Sequence, residues 1–97
     1  VAGIRFEWDA AKSRANQRKH GVSFEEAQSV FFDERALFMA DPEHSDDEDR
    51  FLLLGLSVAL RVILVCHCLR DDDHTIRIIH ARRATKAEQE QYWSRVQ

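Results

Sequence analysis

Apolar and polar positions change period along this chain of 97 residues, and each change marks an element. Ile4-Arg5-Phe6-Glu7-Trp8 alternates with a period of two, which predicts a short edge strand. Asp9 fits a helix N-cap, and residues 9–20 read as a helix closed by Gly21. Val22 leads into Ser23-Phe24-Glu25-Glu26, a capping box. Phe24, Ala27, Val30 and Phe31 then share one stripe, so a second helix is expected to about Phe32. Ala36 to Met39 predicts a short strand. Phe51–Leu54 and Val62–Val65 are almost continuous in apolar residues, the pattern of central strands covered on both faces. They place strands over Arg50–Ser57 and Arg61–Cys68, joined by a hairpin at Val58-Ala59-Leu60. After a turn at Arg70–Asp73, Thr75 to about Arg83 is a further strand. Thr85-Lys86-Ala87-Glu88 is a second capping box and opens a terminal helix. On that helix Trp93 and Val96 are expected to face the sheet, with Glu88, Tyr92 and Arg95 on another side. The sum is one α+β domain over residues 1–97: an N-terminal helical hairpin packed on an antiparallel meander sheet, then a C-terminal helix.

Composition narrows the classes of function. No apolar run approaches the length of a membrane span, and no charged start followed by an apolar stretch resembles a signal peptide. Cys66 and Cys68 form no disulfide framework and read as reduced core thiols of a cytoplasmic protein. The formal net charge of −3 argues against a generic nucleic-acid binder. Six acids crowd into residues 41–50, however, and the remainder holds 11 acids against 13 bases. A local anion site therefore fits a chain that is acidic overall.

The most basic stretch runs from Arg77 to Lys86, where a strand ending in arginines meets a helix N-terminus. Guanidinium forks and free backbone N–H groups both favour phosphate. Lys12, Asn16, Lys19 and His20 line one face of the first helix and offer a second phosphate-facing stripe. The ordinary alternative for both is solvated surface charge. Metal chemistry is poorly supplied, because Cys66 and Cys68 with scattered histidines lack the paired spacing of a zinc site. Cleaving RNA without a metal needs a base for the 2′-hydroxyl, an acid for the leaving oxygen and cations for the phosphorane. His20, His44, His67, His80, Glu48 and Tyr92 are available for protons, and Arg77, Arg82, Arg83, Lys12 and Lys19 for charge. Simple alternation puts Arg77 and Arg82 on opposite faces of their strand, so they share a face only if it bulges or ends near Ala81.

Three separated segments resemble one known family in order. Phe6-Glu7-Trp8-Asp9, Lys12, Asn16, Lys19-His20-Gly21-Val22, Phe24 and Ala27 are similar to the N-terminal signature of the BrnT toxins. His44-Ser45, Glu48 and Arg50 are similar to its H-S-x-x-E-x-R segment. Arg77-Ile78-Ile79, Ala81-Arg82, Ala84-Thr85, Glu88 and Tyr92 are similar to its R-I-I-S-A-R-x-A-T…E…Y close. The likeness covers the chain from about Ile4 to Trp93. It implies a type II toxin of the RelE-like superfamily: a metal-independent endoribonuclease, without cofactor, that cuts RNA and blocks translation. The partner it implies is a BrnA-type ribbon-helix-helix antitoxin, in a toxin–antitoxin heterotetramer that meets operator DNA only through the antitoxin.

Carried over position by position, the resemblance nominates Lys19, His20, His44, Glu48, Arg77, Arg82 and Tyr92 as catalytic. Arg77 and Arg82 would serve as phosphate cations with help from Lys19, and Tyr92 or His20 would exchange protons. Lys12, a turn farther from His20, is expected to matter less. Two positions depart from the pattern. His80 stands where the family usually has Ser, and Leu60 where the hairpin often carries Gly. The alternative is a RelE-like scaffold of weak or lost activity that binds its antitoxin and acts in repression.

Overall fold

The computed structural model describes residues 3–41 and 50–96. His44 and Glu48, with the rest of the acidic segment, lie outside them.

Strand β1 (Arg5–Glu7) is followed by helix α1 (Ala10–His20). The Asp9 carboxylate accepts the Lys12 N–H at 3.1 Å and caps the start. Gly21 ends the helix at φ 71°, a left-handed conformation cheap only for glycine, and donates to the Gln17 carbonyl. Helix α2 (Phe24–Ser29) begins at Ser23, whose Oγ accepts the Glu26 N–H at 3.0 Å. The expected helix to Phe32 tightens instead into a 3-10 turn over Val30–Phe32. That turn packs closely on the sheet: a Cβ on Gly55 would lie 2.8 Å from Ala36 Cβ and 2.9 Å from Val30 Cγ1.

Strands β2 (Leu37–Ala40), β3 (Arg50–Leu56), β4 (Val62–Arg70) and β5 (Thr75–Arg83) follow, then helix α3 (Lys86–Val96). The sheet order is β1-β5-β4-β3-β2. Strands β2 to β5 form the expected antiparallel meander, but β1 pairs in parallel with β5, through Arg5↔Thr75 and Glu7↔Arg77. The sheet is therefore mixed, because the chain passes through α1, α2 and the whole meander before β5 returns beside β1. Strand β4 is central and buried from Val62 to Cys68, which explains its lack of polar alternation.

The two sheet faces hold separate cores. Val22, Phe24, Ala27 and Val30 pack with Leu53, Ile63, Val65, Ile78 and Ala81 under α1 and α2. Leu54, Val62, Leu64, Ala84 and Tyr92 pack on the face under α3. The residue from α3 that enters this core is Tyr92, 2% exposed, whereas Trp93 is 43% exposed and packs its ring edge-on against Tyr92. The Tyr92 hydroxyl reaches Asp33 Oδ2 at 2.5 Å, so the tyrosine buries its ring without losing a hydrogen bond.

At the β3–β4 hairpin, Ser57 and Arg61 are linked by Ser57 N–H to the Arg61 carbonyl at 2.9 Å. Leu60 adopts φ 62° and is 79% exposed, so the position the resembled family often gives to Gly does need a left-handed backbone. Glu26 braces this hairpin from α2 through an ion pair with Arg61 and a hydrogen bond from Ser57 Oγ.

Candidate active site

The site starts from an irregularity in β5. His67 of β4 pairs with Ile78, yet the adjacent Cys66 pairs with His80. One extra residue, Ile79, therefore sits in β5 as a bulge. Directly opposed residues share a sheet face, so Arg77, His80 and Arg82 lie on the face of their partners Cys68, Cys66 and Leu64. The bulge thus puts Arg77 and Arg82 on one face, two residues earlier than the place considered near Ala81. They do not meet, because four β4 positions separate their partners, roughly 13 Å along the strand.

Each of those arginines has a carboxylate partner. Arg77 Nη1 donates to Glu7 Oε2 at 2.9 Å. Arg82 donates through both terminal nitrogens to Glu88, at 2.8 and 3.0 Å. The same Glu88 completes the α3 capping box by accepting the Thr85 N–H at 2.8 Å. The guanidinium of Arg82 holds the Glu88 carboxyl down at about 2, with help from the Thr85 amide.

Beyond Arg77, the β5 edge has no β1 to pair with. Asn16 takes over there: its Nδ2 donates to the Ala81 carbonyl and to the Val22 carbonyl, both at 2.8 Å, and its Oδ1 accepts the Ala81 N–H at 3.2 Å. Asn16 is buried and holds α1 to the bulged strand, so it is not part of an open phosphate-facing stripe. Its neighbours on that face remain open. Lys12, Ala15, Lys19 and His20 line one side of a cleft of about 410 Å³, and Ile79 and His80 line the other. Among the described lining residues four are basic and none is a carboxylate. Lys12, expected to matter less than Lys19 and His20, lines the same cleft.

His80 joins the two groups of cations. Partial burial pushes its pKa below the ordinary imidazole value, and the positive charges of Arg82 and His20 push it in the same direction. The neutral form of the His80 imidazole is favoured there.

Residues 8–88 match the family model described as the ribonuclease toxin BrnT of type II toxin–antitoxin systems. The chain belongs to the BrnT family. Its fold is similar to the 1.1 Å crystal structure of the Brucella abortus ribonuclease toxin BrnT, with a TM-score of 0.64 and 22% identity. That likeness covers 86% of this chain and 99% of the Brucella one. No curated protein sequence matches the chain. The class of activity follows from the family: a ribonuclease toxin of a type II system, hence an enzyme acting on RNA with an antitoxin as partner.

Within this BrnT-family fold the other nominated residues are dispersed. Tyr92 lies in the core under α3, and Asp33 holds its hydroxyl; burial and that carboxylate push its pKa up to about 12. Burial would raise Asp33, but hydrogen bonds from the Leu56 N–H, the Tyr92 hydroxyl and the Arg35 N–H outweigh it and keep the carboxyl low. His67 is 1% exposed, with its ring centroid 4.8 Å from that of Phe31, and burial lowers its pKa to about 4. It is a core histidine on the face opposite His80. Cys66 is fully buried, its pKa pushed up to about 11. Among the described residues no three His, Cys, Asp or Glu side chains gather closely enough to hold a metal ion. No described helix is long and apolar enough to cross a membrane.

Sequence reasoning missed the Asn16 clamp and the carboxylates facing the arginines. Asn16 had been grouped by helical spacing alone, which cannot distinguish a residue facing solvent from one facing a strand edge. Glu88 was visible as a capping residue, but its second contact crosses from α3 to β5.

Proposed function

We propose that this BrnT-family chain is a metal-independent endoribonuclease whose active site is the basic cleft between α1 and the β5 bulge. The observation that carries this reading is the gathering of Lys12, Lys19, His20 and His80 around one open cavity, with no carboxylate among the described lining residues. A carboxylate-free concavity of cations and imidazoles suits a phosphodiester, which needs charge stabilisation and proton transfer at one place. Lys19 neutralises the non-bridging phosphate oxygens, with Arg82 beside His80 as the next cation. His20 exchanges a proton with the reacting oxygens. Arg77, farther along the same face, meets the RNA backbone outside the cleft. Tyr92 anchors α3 in this reading, and His44 and Glu48, in the segment not described, are the remaining nominated proton carriers.

The wider function is that of a RelE-like toxin, in which an N-terminal helical hairpin rests on the sheet and RNA cleavage stops translation in the cytoplasm. Its antitoxin is of the BrnA type, a ribbon-helix-helix protein that forms a heterotetramer with it and contacts operator DNA. Family membership supports the antitoxin, and the residue likeness supports its type. A second reading, a co-repressor scaffold of weak activity, draws on the pairing of Arg77 with Glu7 and Arg82 with Glu88.

The test is purified protein against labelled RNA in EDTA, with and without ribosomes, beside Lys19→Ala and Arg82→Ala. Wild-type cleavage in EDTA that falls about tenfold or more in each variant supports the cleft. Cleavage only on ribosomes would make the enzyme ribosome-dependent. No cleavage in either setting, with normal growth on expression without antitoxin, leaves the scaffold.

A further inference from the structure

We infer that His80 is a catalytic residue in this chain, taking the proton of the attacking 2′-hydroxyl while His20 protonates the leaving 5′-oxygen. The inference rests on the ribonuclease reading of the cleft and adds to it a second imidazole, at a position where the resembled family usually carries Ser.

Geometry carries the assignment. The two histidines come from different elements, α1 and β5, and line opposite sides of one cleft. Both side chains line the same cleft. Asn16 fixes their relation: it holds α1 to the Ala81 backbone one residue beyond His80, and it lies four residues before His20 on α1. The bulge at Ile79 sets His80 on the face of Arg82. Lys19 and Lys12 complete the lining from α1.

Charges around His80 decide the direction of proton flow. Arg82 on its own strand, His20 on α1 and Arg50 at the start of β3 disfavour the imidazolium, and Asp41 beyond β2 favours it. The net direction favours the neutral imidazole at His80, which makes it the better placed of the two for the part of the base. His20, in the last turn of α1 and lining the same cleft, is left the part of the acid.

The step balances without a metal or cofactor. His80 removes the 2′-hydroxyl proton as the 2′-oxygen bonds to phosphorus. The bond from phosphorus to the 5′-oxygen breaks, and His20 delivers its proton to that oxygen. The products are a 2′,3′-cyclic phosphate and a 5′-hydroxyl end. Proton exchange with water then restores both imidazoles.

The experiment measures single-turnover cleavage of labelled RNA from pH 5 to 9 by the full chain, His80→Gln, His80→Ser and His20→Gln. The wild-type rate should rise with pH as His80 loses its proton, below the ordinary imidazole range. Both His80 variants should lose the rising limb and about 10²–10⁴ in rate, with an unchanged melting temperature. His20→Gln should lose a comparable factor in rate and keep the rising limb. His80 variants that stay within about threefold of wild type and keep the rising limb overturn the inference and leave the ribonuclease reading standing. A wild type silent on RNA, with and without ribosomes, overturns both. Imidazole NMR gives a readout independent of turnover: uridine 3′-monophosphate should shift the resonances of both His20 and His80. A shift confined to His20 removes His80 from the site.

Discussion

The cleft beside α1 and the polar contacts elsewhere in the fold treat charge in opposite ways. Away from the cleft, polar groups are matched. Glu26 meets Arg61 and Ser57, Tyr92 meets Asp33, Glu7 meets Arg77, and Glu88 meets Arg82 and Thr85. No described buried side-chain polar atom lacks a partner. Inside the cleft, Lys12, Lys19, His20 and His80 gather without a carboxylate in the lining. Like charges brought together repel, which costs stability and is retained where an anion is to be received. The most basic segment by count, around Arg77 to Arg83, is largely neutralised in the fold. The thinner row of cations on α1 is the one left open. Among the described residues, unmatched charge, more than charge density, sets the proposed site apart.

That contrast can be broken at Asn16, which serves both regions. Asn16→Leu should destabilise the fold by about 3 kcal/mol, because the Ala81 N–H and C=O and the Val22 C=O lose their partner. Urea unfolding measures it. RNA cleavage should fall as well, since α1 and the bulge lose their registration.

The next prediction belongs to the matched interior. His67 is held neutral in the folded chain, with a pKa of about 4 against 6.5 for the free side chain. Its contribution is complete above pH 6.5. As pH falls from there toward 4, the unfolded chain takes up a proton that the folded chain refuses. Folding stability should drop by about 3 kcal/mol more in the wild type than in His67→Phe across that window. Equal losses in the two proteins would show that His67 does not control acid sensitivity.

Tyr92→Phe removes the hydroxyl and leaves Asp33 with its backbone donors. It should lower stability by about 2 kcal/mol while cleavage, measured on the folded protein, stays at the wild-type rate. Lost activity without lost stability would instead return Tyr92 to the site. The smallest effect is a gain. Leu60→Gly relieves a left-handed backbone at an exposed position and should raise stability by about 1 kcal/mol, seen as a higher melting temperature with unchanged cleavage.

The elements were legible in the sequence because each carried its own chemistry. Asp9 and Gly21 bracket α1, Ser23 opens α2, and Thr75–Arg83 is a strand within the bounds its pattern marked. Where β1 docks was not legible, because a three-residue strand holds no record of its partner or direction. The break at Val30 was hidden for a similar reason: an apolar stripe cannot tell an α-helical from a 3-10 turn. In the proposed site, helical spacing grouped Lys19 with His20, and both line the cleft. Their meeting with His80 required knowing that Asn16 turns inward. Tyr92 and Trp93, adjacent in sequence, exchanged their expected positions because Asp33, 59 residues away from Tyr92, supplies the hydroxyl's partner.

Ile79 has a consequence of another kind. A β-strand keeps a strict even-odd bookkeeping of which side chains see which face, and a single supernumerary residue inverts the parity of everything after it. Counted evenly, Arg77 and Arg82 would lie on opposite sides of the sheet, one of them in the greasy layer beneath the helices. Most replacements at residue 79 leave that parity intact. Its deletion would swap inside for outside along the strand's end, so in this strand the number of residues is under tighter constraint than their identity.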